Sequence, residues 1–426
     1  MYFAERSGSK NDPEGRGMNH RGDNMSTVKR YNRSVILRLL HEHGGLSRKR
    51  IAEEMSLTPA AITMIVSEMI GEGLLSEGAT LESSGTAGRK EIMVNINFKR
   101  FAALGVSINL QEVLLSATSL DGALLFSEAV PCRAELPLQE ALEIVGARLP
   151  ALIDAHGIAR ESIVGLGVGV RGTVDENRSR SINSFGALAG TDLPLAEAIA
   201  GKTGFCTAMD NNVRSMFRAH MFFSGEQASS LFFIRCEKGI GGAISADHRI
   251  LNGNSGMCSE FGHMPIVEKG GKRCHCGKTG CLETVASPMA ICEDVGSIYS
   301  AEGTPRLYAL TGGHQNRVTL PLIMDAAAMG DLAVDAVVQN AASKLSSAIK
   351  AVVYTLDPAR VVLYGSIFEL PYYYESLQAH LRVGFDRGDG EYAQKSRFNL
   401  QLEEKASCVT AIDAFYKNGG YLQCDK

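Results

Sequence analysis

The stretch Cys274-His275-Cys276-Gly277-Lys278-Thr279-Gly280-Cys281-Leu282-Glu283 carries the densest chemistry of this 426-residue chain, and the fold assignment depends on it. Three cysteines fall within eight residues, and His263 stands eleven residues before the first of them. Three thiolates and one imidazole are the ligands that Zn²⁺ takes in a tetrahedral structural site. Because four protein ligands leave no open position, the pattern predicts a structural zinc ion held by His263, Cys274, Cys276 and Cys281.

Two alternatives stay open at the level of sequence. The three cysteines can be free core thiols, as lone cysteines of cytosolic proteins usually are. Alternatively, His275 is the fourth ligand in place of His263, although its position between two cysteine ligands would strain the loop.

The spacing Glu-x-Gly-His at Glu260–His263, followed by Cys-x-Cys-Gly-x-x-Gly-Cys-Leu-Glu, resembles the signature of the ROK family (repressors, open reading frames and sugar kinases). The resemblance covers residues 101 to about 416. It implies an α/β fold of two lobes around a cleft, of the hexokinase/actin type, which is a duplicated ribonuclease H-like architecture.

The hydrophobic pattern of the body agrees with two rounds of strands followed by helices. Three closely spaced strands, predicted to be antiparallel because their connections are short, open the first round at Ala102–Ile108, Val113–Thr118 and Leu124–Glu128. The second round begins with a strand at Ser230–Arg235, and one uninterrupted helix is predicted over Leu322–Leu356. Lobe 1 is predicted over residues 99–222 and lobe 2, with the zinc loop, over 223–399. A helix at about 400–426 is expected to pack back onto lobe 1.

Residues 25–98 predict a small DNA-binding head. Three helices are expected, at Val28–His43, from Ser47 through Met55, and from a cap at Thr58, with Pro59 at the first position of the third. Two strands follow, Leu74–Glu77 and Glu91–Asn97, with Ile92, Val94 and Ile96 on one side. This order resembles the winged helix-turn-helix of bacterial repressors, and it matches the repressor branch of the ROK family. A protein-interaction domain of three helices and a hairpin is the alternative.

The exposed face of the third helix carries small, short polar and methyl-bearing side chains, which suit close contact with base edges. The loop between the two strands ends in two cations that can contact phosphates or enter a minor groove. The candidate DNA-binding residues are Ser47, Thr58, Pro59, Ala60, Ala61, Thr63, Met64, Ser67, Arg89 and Lys90.

The charge distribution gives weak support to a DNA-binding head and a separate body. Residues 25–100 carry a net charge of +3 and residues 101–426 a net charge of −7, as expected for a nucleic-acid-binding head on an acidic body. Residues 1–24 are polar and are predicted to be disordered. They lack the apolar stretch of a signal peptide, and no apolar run is long enough to span a membrane, so a cytoplasmic protein is expected.

The resemblance also implies a sugar site. It assigns sugar contacts to Glu260, His263 and Glu283, although the two glutamates can equally be surface acids. Asp210 resembles the proton-removing aspartate of the family's kinases and is expected here to bind the sugar without a catalytic role; it can also cap the following helix. Asn183 matches a sugar-loop position less closely, and Met209 replaces the first asparagine of the kinase motif.

The nucleotide side departs from the kinases of the family. Their first phosphate loop reads Asp-x-Gly-Gly-Thr, whereas this chain has Ser107-Ile108-Asn109-Leu110. The second loop is kept as Lys238-Gly239-Ile240-Gly241-Gly242. Because phosphoryl transfer depends on positioning and metal, we expect no efficient kinase activity.

These observations predict a repressor that binds a double-stranded operator as a homodimer or higher oligomer and responds to a sugar or sugar derivative. The rival hypothesis is an ATP-dependent sugar kinase with an added head. A third hypothesis is a repressor controlled by a protein partner.

Overall fold

A computed structural model describes residues 20–81, 91–175, 179–226, 228–258, 260–383, 392–398 and 401–421. Within these ranges, none of the helices combines the length and the apolar character needed to cross a membrane. Contacts divide the chain into two units. The first, called the head, comprises the described residues up to Ile96 together with Tyr416–Gly420, and the second, called the body, contains Asn97–Phe415.

The head has three helices and a three-stranded sheet of order β1-β3-β2. Its elements are α1 (His20–His43), β1 (Leu46–Ser47), α2 (Arg48–Met55), α3 (Pro59–Gly71), β2 (Leu75–Leu81) and β3 (Glu91–Ile96). The predicted order of helices and hairpin is confirmed, and Gly44, with φ of 70°, follows the end of α1. Residues 1–19 lie outside the described part of the chain.

Three details of the head differ from the predictions. Residues 20–24 are helical, because α1 continues towards the N-terminus beyond its predicted start. Strand β1 was missed because its two residues are too few to show alternation. Ile92 is 45% exposed, whereas Val94 and Ile96, predicted to lie on the same side of the strand, are buried. The first residues of β3 therefore lie beyond the core.

The core of the head includes the end of the chain. Arg33 is fully buried, and its Nε donates to the carbonyl oxygen of Gly419 at 2.7 Å. The same guanidinium donates to Glu72 Oε1 at 2.8 Å. A Cβ on Gly420, which has φ of +78°, would stand 2.3 Å from Leu74 Cδ2. Residues of the C-terminal tail are therefore structural components of the head.

The first lobe of the body is a five-stranded sheet of order β11-β7-β4-β5-β6. Its strands are β4 (Ala102–Ile108), β5 (Glu112–Ser119), β6 (Leu124–Pro131), β7 (Ile163–Val170) and β11 (Thr207–Asn211). The antiparallel pairing of the first three is confirmed. Between these strands lie α4 (Leu138–Ala155), α5 (Leu195–Thr203) and a small sheet of β8 (Thr173–Asp175), β9 (Arg180–Asn183) and β10 (Thr191–Leu193), and α6 (Asn212–Ser224) follows β11.

The second lobe repeats the pattern with a sheet of order β14-β13-β12-β15-β16. Its strands are β12 (Leu231–Cys236), β13 (Ile240–Ala246), β14 (Arg249–Ile250), β15 (Arg360–Tyr364) and β16 (Ala393–Lys395). Its helices are α7 (Glu283–Ala286), α8 (Pro288–Ile298), α9 (Pro305–Leu310), α10 (Leu320–Ala328), α11 (Leu332–Leu356) and α12 (Pro371–Arg382). The duplicated two-lobed α/β fold is thus confirmed.

The helix predicted as one piece over Leu322–Leu356 is two helices, so that prediction was wrong. The break falls at Gly330, whose φ of 84° is left-handed. The carboxylate of the next residue, Asp331, accepts hydrogen bonds from the backbone N–H groups of Arg306 (3.0 Å) and Leu307 (3.2 Å) at the start of α9. The left-handed glycine ends α10, and the side chain of Asp331 caps α9.

The final helix, α13 (Leu402–Lys417), packs on the first sheet as expected, but it also joins another core. Ser407 Oγ lies 2.6 Å from Ser107 Oγ on β4. Leu402, Ala406 and Val409 share a hydrophobic cluster with α6, β12 and β15. The helix therefore contributes to the cores of both lobes, and its last residues, from Tyr416, belong to the head.

Candidate metal and ligand site

His263, Cys274, Cys276 and Cys281 come together, with their ligand atoms all within 4.8 Å of one another. Cys276 Sγ is 3.6 Å from Cys281 Sγ, and Cys274 Sγ is 3.4 Å from His263 Nδ1. For a Zn–S bond of about 2.3 Å, the edge of the tetrahedron between two sulfurs is about 3.8 Å. The four donors therefore stand close to the separations that a single tetrahedral metal ion requires.

The loop that carries the cysteines is held by its own backbone. Cys274 N donates to Lys278 O at 2.8 Å, and Gly277 N donates to Cys274 O at 3.0 Å. Gly277 and Gly280 adopt φ of 86° and 76°, which favours glycine at both turns. His275 is exposed and is not a member of the cluster, so the alternative in which it replaces His263 is contradicted.

The two glutamates beside the cluster are not surface acids. Glu283 is buried; its Oε2 accepts from Ile240 N at 3.2 Å. Its Oε1 lies 3.8 Å from the Arg171 guanidinium. Glu260 Oε2 lies 3.7 Å from His263 Nε2. Burial raises the pKa of Glu260 to about 7, and the charges of Arg214 and Arg171 oppose the rise.

Asp210 forms ion pairs with two arginines of α6. It is fully buried, its Oδ1 accepts from Arg214 Nε at 2.6 Å, and its Oδ2 accepts from Arg218 Nη2 at 2.7 Å. Oδ1 also accepts from Asn211 N at 2.7 Å, so Asp210 accepts hydrogen bonds from three groups of the protein, and its predicted sugar contact stays a prediction. The helix cap is another residue, because Asn211 Oδ1 accepts from Val213 N and Arg214 N.

Phe185, two residues after Asn183, contacts His263 of the cysteine–histidine cluster. Asn183 is exposed, and its Oδ1 accepts from Phe185 N at 2.9 Å. The ring of Phe185 meets the His263 ring edge-on, with centroids 4.8 Å apart. Sequence reasoning missed Phe185, Arg171 and Arg214, because only the tertiary fold brings them near Glu260 and His263.

In the head, helix α3 presents the predicted small-residue face. Thr58, Pro59, Ala60, Thr63, Met64 and Ser67 are exposed, and Ala61 is half-buried. Thr58 Oγ1 accepts from Ala61 N at 3.3 Å and so caps the helix. On the opposite face, Ile62, Ile65 and Met69 are buried.

Ser47 does not belong to this exposed face. It is 3% exposed; its Oγ accepts from Arg50 N and donates to Glu91 Oε2 at 2.5 Å. Its role is therefore to cap α2 and hold it to β3, which contradicts a direct contact with bases. Arg89 and Lys90 lie outside the described residues.

Comparison with known proteins places both parts of the chain. The ROK family model matches residues 104–394, and the MarR family model matches residues 31–77 in the head. The chain belongs to the ROK family. The regulator NagC of Escherichia coli, described as a DNA-binding transcriptional dual regulator, is 29% identical over 354 residues, which are 81% of this chain and 83% of NagC.

Solved ROK structures confirm the fold. A ROK family transcriptional regulator, a homologue of E. coli Mlc, superposes with a TM-score of 0.76 at 24% identity and covers 92% of this chain and 98% of its own. A ROK family glucokinase from Streptomyces griseus superposes with a TM-score of 0.59 at 21% identity and covers 74% of this chain and 98% of its own. The body of this ROK protein therefore shares one fold with regulators and kinases.

The two stretches that correspond in sequence to the phosphate loops of ROK kinases make hydrogen bonds within the body. Ser107 is 9% exposed and is hydrogen-bonded to Ser407 of α13. In the turn of Lys238–Gly242, the backbone N–H of Ile240 donates to Glu283 Oε2. Glu237 accepts from both the backbone N–H and the hydroxyl of Ser366, which joins the loops that contain these two residues.

Proposed function

We propose that this chain is a sugar-responsive transcriptional repressor of carbohydrate uptake or catabolism genes. The observation that supports it most is the match to NagC across most of both chains. A second observation is the match of the MarR family model to the head, whose helix α3 exposes small side chains. The head binds a double-stranded operator, and a sugar or sugar derivative binds in the cleft of the body. Such a regulator acts in the cytoplasm.

The cluster of His263, Cys274, Cys276 and Cys281 holds zinc in this proposal. The donor set suits Zn²⁺, and its separations suit a tetrahedron. With four protein ligands the ion has no open position, so it supplies structural cross-linking and no chemistry of its own. His263 binds it through Nδ1 and keeps Nε2 for Glu260 or an effector hydroxyl.

A two-step experiment tests the proposal. Genome-wide mapping of the sites bound by the full-length protein yields operator fragments, and fluorescence anisotropy then measures operator affinity in the presence of sugars, sugar acids and sugar phosphates. We expect at least one solute to shift the operator affinity. If none does while the protein still binds operator, the sugar-responsive function is wrong, and control by a protein partner remains.

The operator complex is expected to contain a homodimer, because a palindromic operator matches a two-fold axis of the protein. Sedimentation velocity of the protein with and without an operator duplex measures this stoichiometry directly. A single chain bound to one complete operator contradicts the dimer.

The second candidate is an ATP-dependent sugar kinase, which the structural match to a glucokinase and the retained glycine-rich turn favour. Two contacts argue against it. Asp210 is neutralised by Arg214 and Arg218, and Ser107 is hydrogen-bonded to α13 where the kinases carry an acid. An ADP-release assay against a panel of sugars decides between the two, and sustained turnover establishes the kinase.

A further inference from the structure

Arg214 connects the two lobes and keeps one donor without a partner. Its Nε donates to Asp210 Oδ1 in the first lobe at 2.6 Å, and its Nη1 points to the carbonyl oxygen of Gly256 in the second lobe at 3.4 Å. The side chain is 1% exposed. Among the residues that the structure describes, none accepts a hydrogen bond from Nη2. A buried guanidinium N–H without an acceptor lowers the stability of the fold.

Arg214 lies beside the loop that carries Glu260, one of the predicted sugar contacts. Gly256 lies in the loop that leads to Glu260, and the charge of Arg214 acts on the Glu260 carboxyl. A second guanidinium, that of Arg171, acts on the same carboxyl and stays 22% exposed, with only a long contact of 3.8 Å to Glu283. The charges of two arginines therefore act on the acid that neighbours His263.

We propose that Arg214 is an effector-recognition residue, whose Nη2 donates to an acceptor-only oxygen group of the effector: a carboxylate, a phosphate or an acyl carbonyl carried on a sugar. This inference rests on the proposed function and names the chemistry of its effector. The ligand oxygen completes the hydrogen bonding of Arg214, and it does so at the point where the guanidinium contacts both lobes.

The engaged state of Asp210 explains why an acceptor-only group fits. A guanidinium has donors and no acceptor. A sugar hydroxyl placed beside it brings a proton that the guanidinium cannot accept, and the nearby Asp210 carboxylate already accepts from Arg214, Arg218 and Asn211 N. Carboxylates and phosphates bring no such proton, and they form stronger, charge-assisted hydrogen bonds with guanidinium groups.

Calorimetric titration of the full-length wild-type protein tests the ligand class. The probes are matched sets for glucose, galactose and mannose: the free sugar, the uronic acid, the 6-phosphate and the N-acetylated amino sugar, with inorganic phosphate as a separate arm. We expect one of the derivatives to bind at least tenfold more tightly than its free sugar. Equal or tighter binding of the free sugar overturns the inference, and so does a failure of every probe to bind.

Two variants on α6 then separate recognition from folding. Arg214→Lys keeps a positive charge near Asp210 but removes the Nη2 donor, whereas Arg218→Lys makes the same exchange at the other partner of Asp210. We expect Arg214→Lys to lower affinity for the binding derivative at least tenfold, with operator affinity unchanged. Arg218→Lys should stay within about threefold of wild type.

The outcomes distinguish this inference from the function on which it rests. Equal losses in the two variants show that only the integrity of the Asp210 cluster matters, and unchanged effector affinity in Arg214→Lys shows that Arg214 makes no contact; either result overturns the inference. In both cases a solute that still shifts operator affinity leaves the repressor function standing. If no solute shifts operator affinity in the wild-type protein, the proposed function itself fails.

Discussion

At the scale of single residues, His263 uses its two ring nitrogens for different partners. Nδ1 faces Cys274 Sγ at 3.4 Å, and Nε2 faces Glu260 Oε2 at 3.7 Å. A metal-bound imidazole commonly donates its other N–H to a carboxylate, which orients the ring. In this way the metal site and the candidate ligand region share one side chain.

Replacing Cys276 by Ser should release the metal and abolish the response to the effector. A serine hydroxyl is a much poorer zinc ligand than a thiolate, and three remaining ligands hold the ion far less tightly than four. Elemental analysis should show stoichiometric zinc in the wild-type protein and a small fraction of it in the variant. Cys292→Ser, in a half-buried cysteine of α8 outside the cluster, is the matched control. Full zinc content in Cys276→Ser contradicts the assignment.

His220 should make the body less stable in mild acid. Burial lowers its pKa to about 4, and the charges of Arg397 and Arg360 add to the shift against Glu226. The folded state therefore keeps the ring neutral while the unfolded state, with a pKa near 6.5, binds a proton. Stability is unaffected above about pH 7 and falls as the pH drops from about 6.5 to 4, by about 2–3 kcal/mol at most.

Urea unfolding at a series of pH values measures this dependence. His220→Leu, which retains an apolar body beside Phe233 and Phe398, should flatten the curve over that window. A variant with the same acid sensitivity as the wild type would show that other groups titrate.

At the scale of elements, α3 has one buried face and one exposed face. Ile62, Ile65, Val66 and Met69 bury one face in the head, and small side chains cover the other. The first turn of α3 contains no acidic residue, so its positive dipole end is available to an anion such as a DNA phosphate. The predictions from periodicity apply well here, because the capping residue and the buried stripe are both local.

Ala60→Glu should weaken operator binding at least tenfold. Ala60 is exposed near the start of α3, where an acidic residue favours the helix dipole but repels phosphate. The melting temperature should therefore stay at or slightly above that of the wild type. Val28→Glu adds the same charge on the exposed side of α1 and should alter affinity less than about twofold. Wild-type affinity in Ala60→Glu, measured by anisotropy, would exclude α3 from the interface.

At the scale of the whole molecule, α13 is the element with contacts in the most places. It lies against the first sheet, joins the hydrophobic cluster of the second lobe, and ends in residues that belong to the head. Glycines in the first sheet make room for it. A Cβ on Gly167 would stand 1.7 Å from Ser407 O, and one on Gly105 would stand 2.8 Å from Cys408 Sγ.

Gly167→Ala should displace α13 and destabilise the body by about 1–3 kcal/mol or more, since the added methyl meets backbone and not a flexible side chain. Calorimetry measures the loss. Gly201→Ala is the control, because a Cβ there meets no atom within 4 Å, and alanine is the better helix former in α5. Equal melting temperatures for the two variants would show that α13 does not need this close approach.

Local patterns predicted most elements because each depends on short-range periodicity. The strand Ala102–Ile108 matches its predicted bounds. The failures concern side-chain contacts. The carboxylate of Asp331 caps α9, which lies earlier in the chain, and Asp210 forms ion pairs with Arg214 and Arg218 of α6. Arg171 is separated by more than a hundred residues from the glutamate beside it.

The sequence by itself determined the three clustered cysteines with His263 or His275 as the fourth candidate ligand, the ROK-type body and the winged head. The types of the candidate ligands and their spacing can be identified from the sequence alone. Only the tertiary structure decided that His263 and not His275 completes the cluster, and that Asp210 is bonded to arginines. It also placed Arg214 with an unpaired donor between the lobes. The physical reason is that hydrogen bonding and burial depend on which distant groups meet, which no single stretch of sequence encodes.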